Sequence, residues 1–187
     1  MDALDWLEQQ HRDLVGLFAE VAAVDGAGRR TARVAHLVRA IEAHSRVEET
    51  VFYAAFAARV EGDERRLYEA YEDHALLRFA AGSLIRTRAT DVRFPARLKL
   101  VHQLFRRHAA VEEDWMFPRA KRALHDEELD RIGVELARAH GAREAVGPAM
   151  PERLPMRRRP SASPLRRVGS STGLAMNEAV KLGAQRP

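Results

Sequence analysis

The stretch HSRVEETVF at residues 44–52 and the similar stretch HAAVEEDWMFP at residues 108–118 decide the fold. Each places a histidine and a glutamate four residues apart, which is one turn of an α-helix, inside a longer segment of apolar residues with helical spacing. The apolar segment before each stretch carries a histidine of its own, His11 in one case and His74 in the other. The sequence therefore predicts four amphipathic helices, each with an apolar stripe that polar residues interrupt near its middle.

Breaker residues set the expected ends of these helices. Glycines at positions 26, 28 and 62 and the segment 90–94 separate the four helices, and a shorter fifth helix is expected to end at Gly141. Pro118 is expected to kink the fourth helix or end it near Phe117. The predicted helices span residues 2–24, 29–61, 63–89, 95–124 and 126–140. Because such short connections make successive helices antiparallel neighbours, the expected fold is all-α, an up-down-up-down four-helix bundle with a short fifth helix.

The polar residues that interrupt the four stripes lie at one depth in such a bundle. Counted from the predicted turns at about 1.5 Å per residue, they fall within about one turn of each other. Buried carboxylates and imidazoles without partners are costly, whereas a cation would neutralise the carboxylates and accept the imidazole lone pairs. The sequence therefore predicts a metal centre, with six candidate ligands: His11, His44, Glu48, His74, His108 and Glu112.

Composition narrows the kind of site. The chain contains no cysteine, which excludes disulfides, thiolate metal sites, iron–sulfur clusters and a cysteine nucleophile. No segment approaches the roughly 18 consecutive apolar residues that a membrane span needs, and the N-terminus is acidic, unlike a signal peptide. The expected location is the cytoplasm.

The net charge of +4 divides unevenly along the chain. Residues 146–187 carry a net charge of +6 and are rich in proline and serine, whereas residues 1–145 carry −2. The sequence predicts a helical domain over residues 1–145 and a disordered basic tail over residues 146–187. The tail is interpreted as a solubilising extension or, alternatively, as a weak electrostatic tether to nucleic acid; the acidic domain gives no reason to expect nucleic-acid binding.

His11, residues 44–52, His74 and residues 108–118 together resemble the hemerythrin-like HHE cation-binding domains, over roughly residues 4–124. The resemblance implies a four-helix bundle with an oxo- or hydroxo-bridged pair of iron ions, for which zinc or manganese are possible substitutes. It also implies that His11, His44, His74 and His108 are terminal ligands and that Glu48 and Glu112 bridge the two ions.

The chain departs from the oxygen-carrying members of that family at two positions. Those members have a second histidine one turn after the third-helix histidine, where this chain has Arg78. They have an aspartate ligand five residues after the fourth-helix histidine, where this chain has Glu113, so that Glu112 is the favoured ligand. The pattern resembles a four-histidine, two-glutamate variant with an open position at one iron. That variant disfavours reversible oxygen carriage relative to peroxide or nitric oxide chemistry or to iron sensing.

Several nearby side chains have two interpretations each. The Tyr71 phenol is a possible iron ligand or hydrogen-bond donor to peroxide, or a tyrosine of the core with a buried partner. Arg78 either steers an anion or pairs with a bridging glutamate, or it extends its charge to solvent at the edge of the bundle. Glu49 and Glu113 are expected to accept a hydrogen bond from the ring N–H of a ligand histidine or to be solvated.

Two functions of different classes follow. The first hypothesis is a non-enzymatic di-iron protein that binds or senses oxygen, nitric oxide or iron. The alternative is a di-iron enzyme with catalase-like or oxidase activity on peroxide or oxygen. A third interpretation is a structural bundle that binds zinc adventitiously.

Overall fold

The computed structural model describes the backbone of residues 1–146 and the side chains of residues 1–142. Over these residues the chain is helical, with short connections between the helices, and none of the described helices is long and apolar enough to cross a membrane. The all-α prediction is confirmed. Apart from Val146, the predicted tail lies outside the described residues.

Within the described residues, seven α-helices form five continuous rods, because π-helical turns join two pairs of them end to end. The first rod is α1 and the third is α4. The second rod consists of α2, a π turn and α3, and the fourth consists of α5, a π turn and α6. The bounds are α1 Ala3–Ala23, α2 Ala27–Val47, π turn Glu48–Phe52, α3 Tyr53–Arg59, α4 Glu64–Ile85, α5 Phe94–Val111, π turn Glu112–Met116, α6 Phe117–Ala123 and α7 Asp126–Val146.

The ends of the rods follow the local signals in the sequence. The Asp2 side chain caps α1 by accepting hydrogen bonds from the backbone N–H groups of Leu4 and Asp5, at 2.8 and 2.9 Å. Gly26 and Gly62 have φ angles of 87° and 81°, in the left-handed region that glycine adopts without steric cost. These two glycines end the first and second rods close to the predicted positions.

Each π turn begins at the glutamate of a His-x-x-x-Glu pair and adds one residue to a helical turn. The backbone N–H of Tyr53 bonds to the carbonyl of Glu48, and that of Phe117 bonds to the carbonyl of Glu112. The fourth rod continues past Phe117 to Ala123, close to the predicted end at residue 124, so of the two expected effects of Pro118 the ending near Phe117 does not occur. Pro118 falls directly after the π turn, where the hydrogen-bond register already changes, so its missing N–H does not end the rod.

The fifth rod, α7, is longer than expected because it continues through Gly141 to Val146. It packs against α1, α2 and the first π turn, and it buries Leu129 and Leu136. Its contact with the start of α1 depends on Gly133, where an added Cβ would lie 2.7 Å from the Met1 carbonyl oxygen. The glycine therefore allows two backbones to approach closely.

Replacing Gly133 with alanine is expected to destabilise the domain by about 1–3 kcal/mol, because backbone atoms of the N-terminus must move to admit the methyl group. Gly141→Ala is the matched control in the same helix, since a Cβ added at this glycine would meet no atom within 4 Å. The control is expected to stabilise by up to about 1 kcal/mol. Denaturant unfolding of both variants tests this, and a neutral Gly133→Ala would contradict the close approach.

The interior consists of two apolar clusters with a polar layer between them. One cluster contains Leu14, Phe18, Leu37 and Phe105 among others, and the second is built from the two π-turn regions, the start of α1 and α7. The only charged or imidazole side chains buried among the described residues are the six predicted ligands. The fold therefore places these side chains together in mid-bundle: His11, His44, Glu48, His74, His108 and Glu112.

Candidate metal centre

The six predicted ligands come from all four rods of the bundle and meet between the two apolar clusters. None of them is more than 3 % exposed. Their ligand atoms form two overlapping groups, each with all atoms within 4.8 Å of one another. One group is His11, His44, Glu48 and His108, and the other is Glu48, His74, His108 and Glu112.

The distances between ligand atoms suit cation binding. The Nε2 atoms of His44 and His74 each lie 3.2 Å from a Glu48 oxygen, and the Nε2 atom of His11 lies 3.2 Å from Glu112 Oε2. Two atoms that each bind one cation at about 2.1 Å, at roughly right-angled to tetrahedral angles, lie about 3.0–3.5 Å apart. The observed separations match the edges of such a coordination shell.

Several of these atoms have no hydrogen-bond partner, although they are buried. Both Glu48 oxygens, Glu112 Oε2 and the Nε2 atoms of His11 and His44 are in this state. Leaving buried polar atoms without partners costs free energy, and a carboxylate costs most. A cation satisfies all of these atoms at once, so the donor set fits a metal centre.

The second glutamate of each His-x-x-x-Glu-Glu block contacts a histidine of another rod. Glu49 Oε1 lies 3.0 Å from His74 Nδ1, and Glu113 Oε1 lies 2.7 Å from His11 Nδ1. A carboxylate at Nδ1 fixes the proton there, which leaves the Nε2 lone pair pointing into the centre. The expectation that Glu49 and Glu113 accept ring N–H bonds therefore agrees with the contacts.

Tyr53 is a residue of the centre that the sequence analysis did not find. Its side chain is fully buried, and its hydroxyl donates to Glu112 Oε1 at 2.5 Å and lies 3.5 Å from His74 Nε2. Its ring stacks on the His74 imidazole, with centroids 5.3 Å apart and planes 7° apart. The phenol therefore puts one proton donor among the ligand atoms.

The domain model of the hemerythrin HHE cation-binding family matches residues 2–143. The chain belongs to this family. The HHE match covers more of the chain than the resemblance at roughly residues 4–124, because it includes most of α7. The family match and the buried His/Glu cluster together identify an HHE cation-binding domain with a site that can hold metal.

A solved structure shares the fold of this HHE domain. It is a hemerythrin HHE cation-binding domain-containing protein from Mycobacterium kansasii, with a TM-score of 0.70 and 20% sequence identity over 78% of this chain and 89% of that one. No match was found among curated proteins.

The two outer candidates of the HHE site, Tyr71 and Arg78, lie at its edge. The Tyr71 hydroxyl donates to the Glu49 carbonyl oxygen at 3.4 Å, and its ring packs edge-on against Tyr53, with centroids 5.1 Å apart. Arg78 pairs with Glu49 through a 2.6 Å bond from a guanidinium nitrogen to Oε1. Both residues thus contact Glu49.

Burial and mutual contacts shift the pKa values of the ligands when no cation is bound. Burial lowers the pKa of His74, but the neighbouring carboxylates of Glu48 and Glu49 outweigh burial and raise this pKa to about 9. Burial holds the pKa of His44 well below its usual range. Burial raises the pKa of Glu48, but the surrounding imidazoles outweigh it and hold this pKa well below the usual range. Burial also lowers the pKa of His11, but the nearby Glu112 and Glu48 carboxylates outweigh burial and raise this pKa well above its usual range. At neutral pH a cation must therefore displace protons from His74 and His11.

Cation affinity is expected to rise with pH through the neutral range, because only the deprotonated Nε2 atoms of His74 and His11 bind metal and the pKa values of both are raised. Each displaced proton changes the apparent affinity by about tenfold per pH unit below the pKa of its histidine. Titration with Co²⁺ against a competing chelator between pH 6 and 9 measures the slope. The control His125→Ala changes a histidine outside the centre and should keep the slope, whereas a flat profile would contradict the proton competition.

Proposed function

We propose that this HHE domain holds two iron ions and uses them to bind or sense a small diatomic ligand, oxygen or nitric oxide, or iron itself. One observation carries the proposal: two groups of buried ligand atoms overlap at Glu48 and His108, and the two Glu48 oxygens face different histidines. Such a carboxylate can bridge two cations. His11, His44, Glu48, His74, His108 and Glu112 would hold the ions.

The chemistry of the donor set supports iron. Imidazole ligands suit zinc, copper, iron and nickel, whereas carboxylates suit harder ions such as manganese and magnesium. Four imidazoles with two carboxylates combine both preferences, and iron in its two oxidation states accepts both donor types. Manganese and zinc remain the competing occupants, since the same ligands accept them.

Bound iron would supply a redox-active coordination position for a diatomic ligand. The protein supplies the rest. The two apolar clusters exclude water from the layer between them, Glu49 and Glu113 orient His74 and His11, and the Tyr53 hydroxyl offers a hydrogen bond to whatever binds beside Glu112. These features favour binding of a small neutral molecule in a dry site.

Metal analysis with optical spectroscopy tests this function. Protein purified from iron-replete cells is expected to contain two irons per chain, and the reduced protein should show an absorption change with nitric oxide or oxygen that reverses when the gas is removed. The matched variant His44→Ala should lose both the iron and the optical change. One metal ion per chain would overturn the proposal, and a spectrum indifferent to both gases would overturn its diatomic ligand and leave iron as the sensed species.

The alternative function is peroxide decomposition, and Tyr53 favours it. Catalase-like chemistry needs a proton donor at the metal centre, and the Tyr53 hydroxyl is a buried donor only 2.5 Å from Glu112 Oε1. Iron-loaded protein mixed with hydrogen peroxide would evolve oxygen rapidly, and Tyr53→Phe would slow this while retaining two irons. If peroxide produced no oxygen, the binding or sensing function would stand alone.

A further inference from the structure

The centre consists of two halves with the same arrangement, related by a shift of 63 or 64 residues along the chain. In one half His74 bonds through Nδ1 to Glu49 and stacks on Tyr53. In the other half His11 bonds through Nδ1 to Glu113 and stacks on Phe117, with centroids 6.1 Å apart and planes 5° apart. The chain therefore offers an internal comparison between two imidazole ligands with similar surroundings, apart from the hydroxyl that Tyr53 has and Phe117 lacks.

The halves differ at the residue one turn after each histidine, which is Arg78 in one and Val15 in the other. Arg78 donates to Glu49 Oε1 at 2.6 Å, and the same oxygen accepts the bond from His74 Nδ1 at 3.0 Å. Glu113 is 41% exposed, and no arginine or lysine within the described side chains forms an ion pair with it. Glu49 thus shares its charge between Arg78 and His74, whereas Glu113 directs its charge to His11.

We propose that Arg78 makes the two cation positions unequal: it takes up part of the charge of Glu49, so that His74 binds its cation more weakly than His11 does. A carboxylate at Nδ1 increases the electron density at Nε2, and this increase strengthens the metal bond. A guanidinium on the same oxygen withdraws some of that density, because charged hydrogen bonds compete for one acceptor. The inference rests on the proposed function, since it requires two bound cations.

Because the two positions differ in affinity, the cations bind in a fixed order. The position beside His11 fills first, and the position beside His74 fills last and exchanges most readily. The weaker position also lies on the side of the Tyr53 hydroxyl, which is 3.5 Å from His74 Nε2. Arg78 is therefore a positioning residue that acts through Glu49 and places the exchangeable site beside the phenol.

Stepwise titration of the metal-depleted full chain with Zn²⁺ against a competing chelator tests the proposal. The wild-type protein should show two binding steps of different affinity. Arg78→Gln should tighten the weaker step by about tenfold, which is the size of effect typical of residues that contact a metal ligand without binding the metal. The tighter step should stay unchanged. Arg78→Lys, which keeps the charge, should behave as wild type.

Val15→Arg is the reciprocal variant, since it puts a guanidinium one turn after His11 at a position that is 40% exposed. It should weaken the tighter step and bring the two affinities together. When Glu49→Gln is already present, adding Arg78→Gln should no longer tighten the weaker step relative to Glu49→Gln alone, because Arg78 acts through Glu49. A gain that persists in the double variant would overturn the route through Glu49.

Proton NMR of the zinc-loaded protein gives a readout that a merely structural role would not move. The Nδ1–H signal of His74 should shift downfield in Arg78→Gln, while that of His11 stays in place. Two zinc ions with unchanged affinities and signals in Arg78→Gln would overturn this inference and leave the proposed function intact. A single zinc ion in the wild type would overturn both.

Discussion

Replacing Glu48 with glutamine is expected to remove both cations from the centre. Glu48 belongs to both groups of ligand atoms, and its two oxygens face His44 on one side and His74 on the other. Glutamine has the same shape but lacks the charge, so packing is retained while the shared ligand is lost. The cation affinity at each position should fall by more than the 10–100-fold that is typical when a residue hydrogen-bonded to a metal ligand is replaced.

Metal content per chain, measured by elemental analysis after purification, checks this result. Glu42→Gln is the matched control on the same rod, because Glu42 is 40% exposed and pairs with Arg46 at the surface. The control should retain both ions. Two ions in Glu48→Gln would show that the bridging carboxylate is elsewhere.

Removing the metal is expected to lower the melting temperature by about 10–20 °C. Each ion present at 100 times its dissociation constant stabilises the folded chain by about 2.7 kcal/mol. For a domain of this size, 1 kcal/mol corresponds to roughly 2–4 °C. The physical cause is the polar layer, whose buried carboxylate and imidazole atoms lose the partner that compensates their burial.

Thermal unfolding followed by circular dichroism, with and without a strong chelator, measures the shift. Glu48→Gln serves as the control, since a protein that binds no ions should unfold at the same temperature in both conditions. Equal melting temperatures for loaded and chelated wild-type protein would mean that the buried cluster is stable without a cation.

The sequence predicted the rods and their polar interruptions because these depend on local signals. Breakers such as Gly26 and Gly62 act through their own backbone conformation, and the apolar stripes have a regular period. The family resemblance rested on the same two blocks and is confirmed. The coordination roles of the six residues and the identity of the metal stay predictions.

Tyr53 escaped the sequence analysis because of the first π turn. With regular helical spacing, the fifth residue after Glu48 points about 140° away from it. The extra residue in the turn brings Tyr53 beneath Glu48 and buries Phe56, while Ala55 is only half-buried. No residue type marks a π turn. The spacing of apolar residues alone therefore could not show where the inserted residue rotates the rest of the helix.

The pairing of Glu49 with His74 also could not be predicted in detail. The residue type suggested an acceptor for a ring N–H, but the partner lies on a different rod, 25 positions along the chain. Which histidine the Glu49 carboxylate reaches depends on how α4 is rotated about its own axis and shifted along it relative to the first π turn. Such geometry arises from packing of whole rods and is not encoded in one segment.

The matched halves bear on how this domain arose. Each pair of rods, residues 3–59 and 64–123, supplies two histidines and one glutamate, which is half of the ligand set. Tandem duplication of one hairpin would produce both the spacing and the shared layout. The halves now differ at single positions, tyrosine against phenylalanine and arginine against valine.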